Sequence, residues 1–89
     1  MKDSHSFIII EKESNKLKKL KIKNNIRTLR FFANEITQQQ LAEKVGASRQ
    51  TIVAVEAGKY TPSLELAFRI ADAFGVKLEE VFEYETEEK

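Results

Sequence analysis

Cysteine is absent from the sequence, histidine occurs once at His5, proline once and glycine three times. Without thiols and with a lone imidazole, the chain cannot build a thiolate zinc site, a disulfide framework, a thiol nucleophile or a histidine-based triad. So few turn formers argue against a many-stranded sandwich and for helices. Long hydrophobic runs are missing too. The longest, residues 7–10 (Phe-Ile-Ile-Ile), is too short for a signal-peptide core or a membrane span, and Asp3 interrupts any basic leader. These absences predict a soluble protein with no membrane partner; no compartment follows from the missing cysteine, and the cytoplasmic location expected here is compatible with it.

What is present fits one small domain. Of 89 residues, 42% are hydrophobic, which is too apolar for disorder and too short a chain for a two-domain enzyme. The formal net charge of +1 conceals a dipole. Residues 1–33 hold nine bases against three acids, residues 34–60 balance at three each, and residues 61–89 hold three bases against eight acids. A basic front half with an acidic end suits a nucleic-acid partner met by one face.

The pattern changes near Asn24. Before it, the apolar tetrad at 7–10 and the period-two stretch Lys19, Leu20, Lys21, Ile22, Lys23 read as two short strands, with a possible hairpin across 13–16. A lone hairpin is marginal in water, so it must dock on the core or on a second subunit. The expected organisation is an extension at 1–23, a helical domain at 24–84 and an acidic tail at 85–89.

Five helical segments follow. Ile26, Leu29, Phe32 and Ala33 share one arc of the first. The second opens at Thr37, spaced for a capping box with Gln40, and ends at Gly46. Ser48 caps the third, which runs to Ala57 and stops at Gly58. Pro62 and Ser63 open the fourth, where Leu64, Leu66, Ala67, Phe68, Ile70, Ala71 and Phe74 cover most of the circumference, so it is expected at the buried centre. A last short helix is expected from Leu78 to about Tyr84.

The informative stretch is 37–58, two short capped helices joined by a tight turn at Gly46 and Ala47, which is helix-turn-helix spacing. Ala42 is small enough to let the two helices approach closely. Ile52 and Val55 fall on the inward arc of the second of them, and Arg49, Gln50, Val53 and Ala57 on the outward arc, with Ala54 at its edge. A recognition helix offers its first residues to base edges. Arg49 can fork onto guanine O6 and N7, and Gln50 can bind adenine N6 and N7. Gln38 and Ser48, at helix starts, are placed for phosphate contact. Arg30 and Glu56 each border a core-facing arc and read as a partly buried structural ion pair.

Other readings stand beside these. An exposed Arg-Gln pair also decorates ordinary surfaces, and paired short helices occur in interaction modules such as antitoxin or coactivator domains, the main rival function. An enzyme is disfavoured. Glu79, Glu80, Glu83 and Glu85 are expected on a terminal helix without a cleft, no phosphate-cradling glycine loop exists, and neither cofactor, metal nor small-molecule ligand is implied.

The residues Leu29-Arg30, Thr37-Gln38, Leu41-Ala42 and 45–52 (Val-Gly-Ala-Ser-Arg-Gln-Thr-Ile) carry a resemblance, continued by Glu56-Ala57-Gly58-Lys59-Tyr60, Pro62-Ser63-Leu64, Ile70-Ala71, Phe74-Gly75-Val76 and Val81-Phe82. Over 26–84 the chain resembles the small Cro/CI-type (XRE-family) helix-turn-helix transcriptional regulators. The resemblance implies an all-α, five-helix, lambda-repressor-like domain acting as a homodimer on a pseudo-palindromic operator in double-stranded DNA. It places Arg49, Gln50, Val53 and Ala54 towards bases, Gln38, Ser48, Lys59 and Tyr60 on the DNA backbone, and Arg30 with Glu56 in an internal salt bridge. Residues 1–23 have no counterpart in the short members. They read as a dimerisation hairpin, a basic arm on DNA or a tail.

Overall fold

Ile26, Leu41, Ile52, Val55, Ile70 and Val81 are the largest fully buried side chains, and together they come from five different helices. Each such side chain removed from water contributes about 1.5–3 kcal/mol, so the core is a shared product of every helix rather than of any pair. The computed structural model describes residues 20–86. In chain order the elements are β1 (Leu20–Asn24), α1 (Ile26–Phe32), α2 (Gln38–Val45), α3 (Arg49–Glu56), α4 (Leu64–Phe74), α5 (Leu78–Val81) and β2 (Phe82–Thr86).

Local chemistry sets the helix ends. Thr37 and Gln40 form the reciprocal capping box: the Gln40 N–H donates to Thr37 Oγ1 at 2.9 Å, and the Thr37 N–H donates to Gln40 Oε1 at 2.8 Å. Ser48 and Ser63 accept from the N–H groups of Thr51 and Leu66, both at 3.1 Å. Gly46 closes α2 at φ 73, where any other residue would carry a Cβ penalty, and the Ala47 N–H turns back to the Ala42 carbonyl at 3.0 Å. Because Ala42 is fully buried and small, α3 can follow immediately at close range. The α1–α2 turn is less relaxed, with Asn34 and Glu35 both at positive φ, 64 and 56. Asn tolerates that region through local hydrogen bonding; Glu has no such compensation.

One expectation is corrected after the last helix. The last helix stops at Val81 instead of running to Tyr84, and Phe82–Thr86 is a strand antiparallel to Leu20–Asn24. Leu78, Val81 and Phe82 share a helical arc, but Phe82, Glu83, Tyr84, Glu85 and Thr86 also alternate with period two, and pairing with β1 favours that second pattern. Register puts Lys23 opposite Glu83, a favourable cross-strand order of charge. The expected strand at Lys19–Lys23 therefore has its observed partner at the other end of the chain, so both ends reach into one structural unit, from Leu20 to Thr86. The tetrad at 7–10, the other arm of the expected hairpin, lies outside the described residues.

A further correction concerns α4. Ala67, Ile70 and Ala71 are buried, but Leu64 and Phe68 stand in solvent, so this helix is central on one side only. Its polar strip does carry the i,i+4 pair, with Arg69 Nη2 at 2.8 Å from Glu65 Oε2.

Candidate nucleic-acid interface

Arg49 and Gln50 occupy the first turn of α3, exposed, directly after the Ser48 cap. Two turns of the same helix are anchored from below by Ile52 and Val55, so the exposed first turn sits on a fixed base. Val53 continues the outward stripe at 37% exposure, and Ala54 is half-buried at its edge. This surface offers one guanidinium fork, one carboxamide and two small apolar groups, the inventory for bidentate contacts to purines and for thymine methyls.

Around that stripe lie the expected backbone contacts. Ser48 Oγ is already engaged, accepting from Thr51 N–H and 2.9 Å from Thr51 Oγ1, so it orders the helix start. The N–H groups of Arg49 and Gln50 that follow it precede the first helical hydrogen bond and lie at the positive end of the α3 dipole. Gln38, half-buried at the start of α2, donates from Nε2 to Glu56 Oε1 at 3.4 Å. That bond uses one of its two amide hydrogens. Lys59 and Tyr60 are both exposed on the loop after α3, which turns at Gly58 with φ 77.

Beneath this face, Arg30 fixes the relation between helices. Its Nε and Nη2 donate to Glu56 Oε1 and Oε2, both at 3.0 Å, and Nη1 donates to the Ile36 carbonyl at 3.0 Å. The two side chains are 11% and 13% exposed. A fork of this geometry, nearly dry, locks α1 and the α1–α2 turn to the end of α3.

Arg27 and Gln39 were not among the residues singled out from sequence. A shallow cleft between the starts of α2 and α3 is lined by both, with Thr37, Gln38 and Arg49. Arg27 stands one helical turn before Arg30 and off the apolar arc, the signal that could have placed it beside the α2 start. An exposed ion pair with Glu35, 3.8 Å from Nη1 to Oε1, holds it loosely.

A family model described as helix-turn-helix matches residues 26–81, the span from the start of α1 to the end of α5. The chain belongs to the XRE-type helix-turn-helix family. Its relatives are named HTH-type transcriptional regulators. One from Methanocaldococcus jannaschii is 55% identical over 67 residues, covering 75% of this chain and 100% of that protein. One from Archaeoglobus fulgidus is 51% identical over 53 residues, 60% of this chain and 75% of its own length. Another, from Bacillus subtilis, is 46% identical over 66 residues, 74% of this chain and 98% of that protein. The family makes this helix-turn-helix protein a DNA-binding regulator of transcription. Among the described residues no helix is long and apolar enough to cross a membrane.

Proposed function

We propose that this regulator is a homodimer that reads a pseudo-palindromic operator in double-stranded DNA, with α3 of each copy in the major groove. The observation that carries the reading is the exposed pair Arg49 and Gln50 on the first turn of a helix whose inner face is fully buried. Arg49 and Gln50 read base edges, and Val53 and Ala54 contact thymine methyls. Gln38, Ser48, Lys59 and Tyr60 grip the sugar-phosphate backbone and set register without reading sequence. Arg30 and Glu56 do not touch DNA; they hold the contacting helices at a fixed angle. In this reading the protein needs neither a cofactor nor a catalytic step and acts in the cytoplasm. Two copies would set their α3 helices about 34 Å apart, one turn of B-DNA.

Selection of bound duplexes from a random-sequence pool, at stated near-physiological salt, tests this directly. A two-fold symmetric motif is the expected result. A folded protein that enriches no motif would overturn the reading and favour the protein-interaction function weighed above.

A further inference from the structure

Three guanidinium groups line the shallow cleft at the starts of α2 and α3, and each is held differently. Arg30 is committed, its fork closed on Glu56 in a nearly dry site. Arg49 is exposed on the first turn of α3 and forms no salt bridge among the described residues. Arg27 stands between these extremes, 63% exposed, with Nη1 3.8 Å from Oε1 of Glu35, which is itself 60% exposed. Glu35 is the one carboxylate among the residues lining the cleft.

We propose that Glu35 is a counter-ion holding Arg27 in reserve, and that a phosphate of the DNA backbone displaces it, making Arg27 a further backbone contact. The inference rests on the reading of α3 in the major groove, which lays the sugar-phosphate backbone across the starts of α2 and α3. Position supports it, since Arg27 shares its cleft with Gln38 and Arg49, and a backbone laid along that cleft meets all three. The weakness of the existing pair supports it too. At 3.8 Å the two groups are too far apart for a hydrogen bond, so charge alone holds them and the N–H groups of the fork are not spent on Glu35. A phosphate offers that fork two acceptors at once, and an exposed pair screened by water is a poor competitor.

The backbone under Glu35 is the third support. It lies in the left-handed region at φ 56, inside a turn closed by Glu35 N–H to the Phe31 carbonyl at 3.3 Å and Ile36 N–H to the Arg30 carbonyl at 3.2 Å. Arg30 Nη1 ties down the Ile36 carbonyl at 3.0 Å, so the carboxylate rides on a fixed mount. Arg27, on a long exposed side chain of α1, is the member of the pair free to turn from one anion to another. Strain at a residue whose own side chain does nothing to relieve it fits a position kept for what the side chain faces. Binding DNA then breaks the Arg27–Glu35 contact, so Glu35 lowers affinity for every sequence alike and leaves base preference untouched.

Fluorescence anisotropy of the full chain across a salt series tests the proposal, with a mixed-sequence duplex and the duplex enriched from the random pool as probes. Both side chains are exposed, so the variants are expected to fold, and circular dichroism checks that they do. Arg27→Ala should lower affinity about 3-fold or more on both probes and make the slope of log K against log salt shallower by about 1, while Arg27→Lys should restore the slope. Glu35→Gln should raise affinity about 2- to 5-fold, the range an exposed ion pair spans, and most of that gain should vanish in the Arg27→Ala background. An Arg27→Ala slope equal to that of the wild type overturns the phosphate contact. A Glu35→Gln gain that persists in full without Arg27 overturns the counter-ion role, because the carboxylate would then act only by repelling DNA. Arg49→Ala separates these failures from that of the groove reading. If it weakens binding and Arg27→Ala does not, only the present inference falls; if it binds both probes as the wild type does, the groove reading falls and takes this inference with it.

Discussion

Arg30 and Glu56, 26 residues apart, meet through two parallel N–H···O bonds of 3.0 Å each. Removing one partner strands the other in a nearly dry site, with Gln38 alone to satisfy Glu56. Arg30→Met should cost about 3 kcal/mol of stability, read as a lower urea midpoint. The double variant Arg30→Met with Glu56→Leu should recover most of it. A double variant as unstable as the sum of the singles would show that the pair does not act as a unit.

Base reading and backbone gripping should separate in titrations. Gln50→Ala is expected to weaken the preferred duplex by about 1–3 kcal/mol and to relax one base position. Binding measured against a panel of single-base operator variants checks this; equal weakening on every duplex would remove Gln50 from the readers.

Lys59→Ala should behave in the opposite manner. Every sequence loses affinity alike, and the slope of log K against log salt becomes shallower by about 1, one phosphate contact fewer. Fluorescence anisotropy between low and moderate salt is the measurement, and an unchanged slope would place Lys59 off the backbone.

At Gly46 the space for a side chain exists, since an added Cβ would lie 3.8 Å from Arg69 Nη1, an ordinary contact. The obstacle is the backbone at φ 73 alone. Gly46→Ala should therefore destabilise by about 1–2 kcal/mol, and Gly46→Asn by less, in thermal denaturation. Equal losses for Ala and Asn would point to packing instead.

Much of the helical domain could be read from sequence because it is specified locally. Thr37, Ser48 and Ser63 announce helix starts through their own hydroxyls, and Gly46 and Gly75 announce ends through their conformational freedom. The exposure of Arg49 and Gln50 was readable for the same reason, since it follows from the wheel that buries Ile52 and Val55. What escaped depends on distant partners. Phe82 and Tyr84 fit a helix or a strand until β1 is known to lie beside them. Leu64 and Phe68 look like core until the structure shows that nothing among the described residues covers them. Arg27 is an ordinary surface base until folding brings the start of α2 next to it.

The ribbon has a mechanical consequence. Leu20 pairs with Thr86 and Asn24 with Phe82, so the strand ends nearest the chain's two ends sit together, furthest from the helical body. Tension applied through both ends would open this antiparallel pair like a zip, one rung at a time, instead of shearing all rungs at once. The last rung to part holds Asn24, whose amide joins the ribbon to the Val55 carbonyl. A tug transmitted that far would let go of α3 before the hydrophobic core gave way.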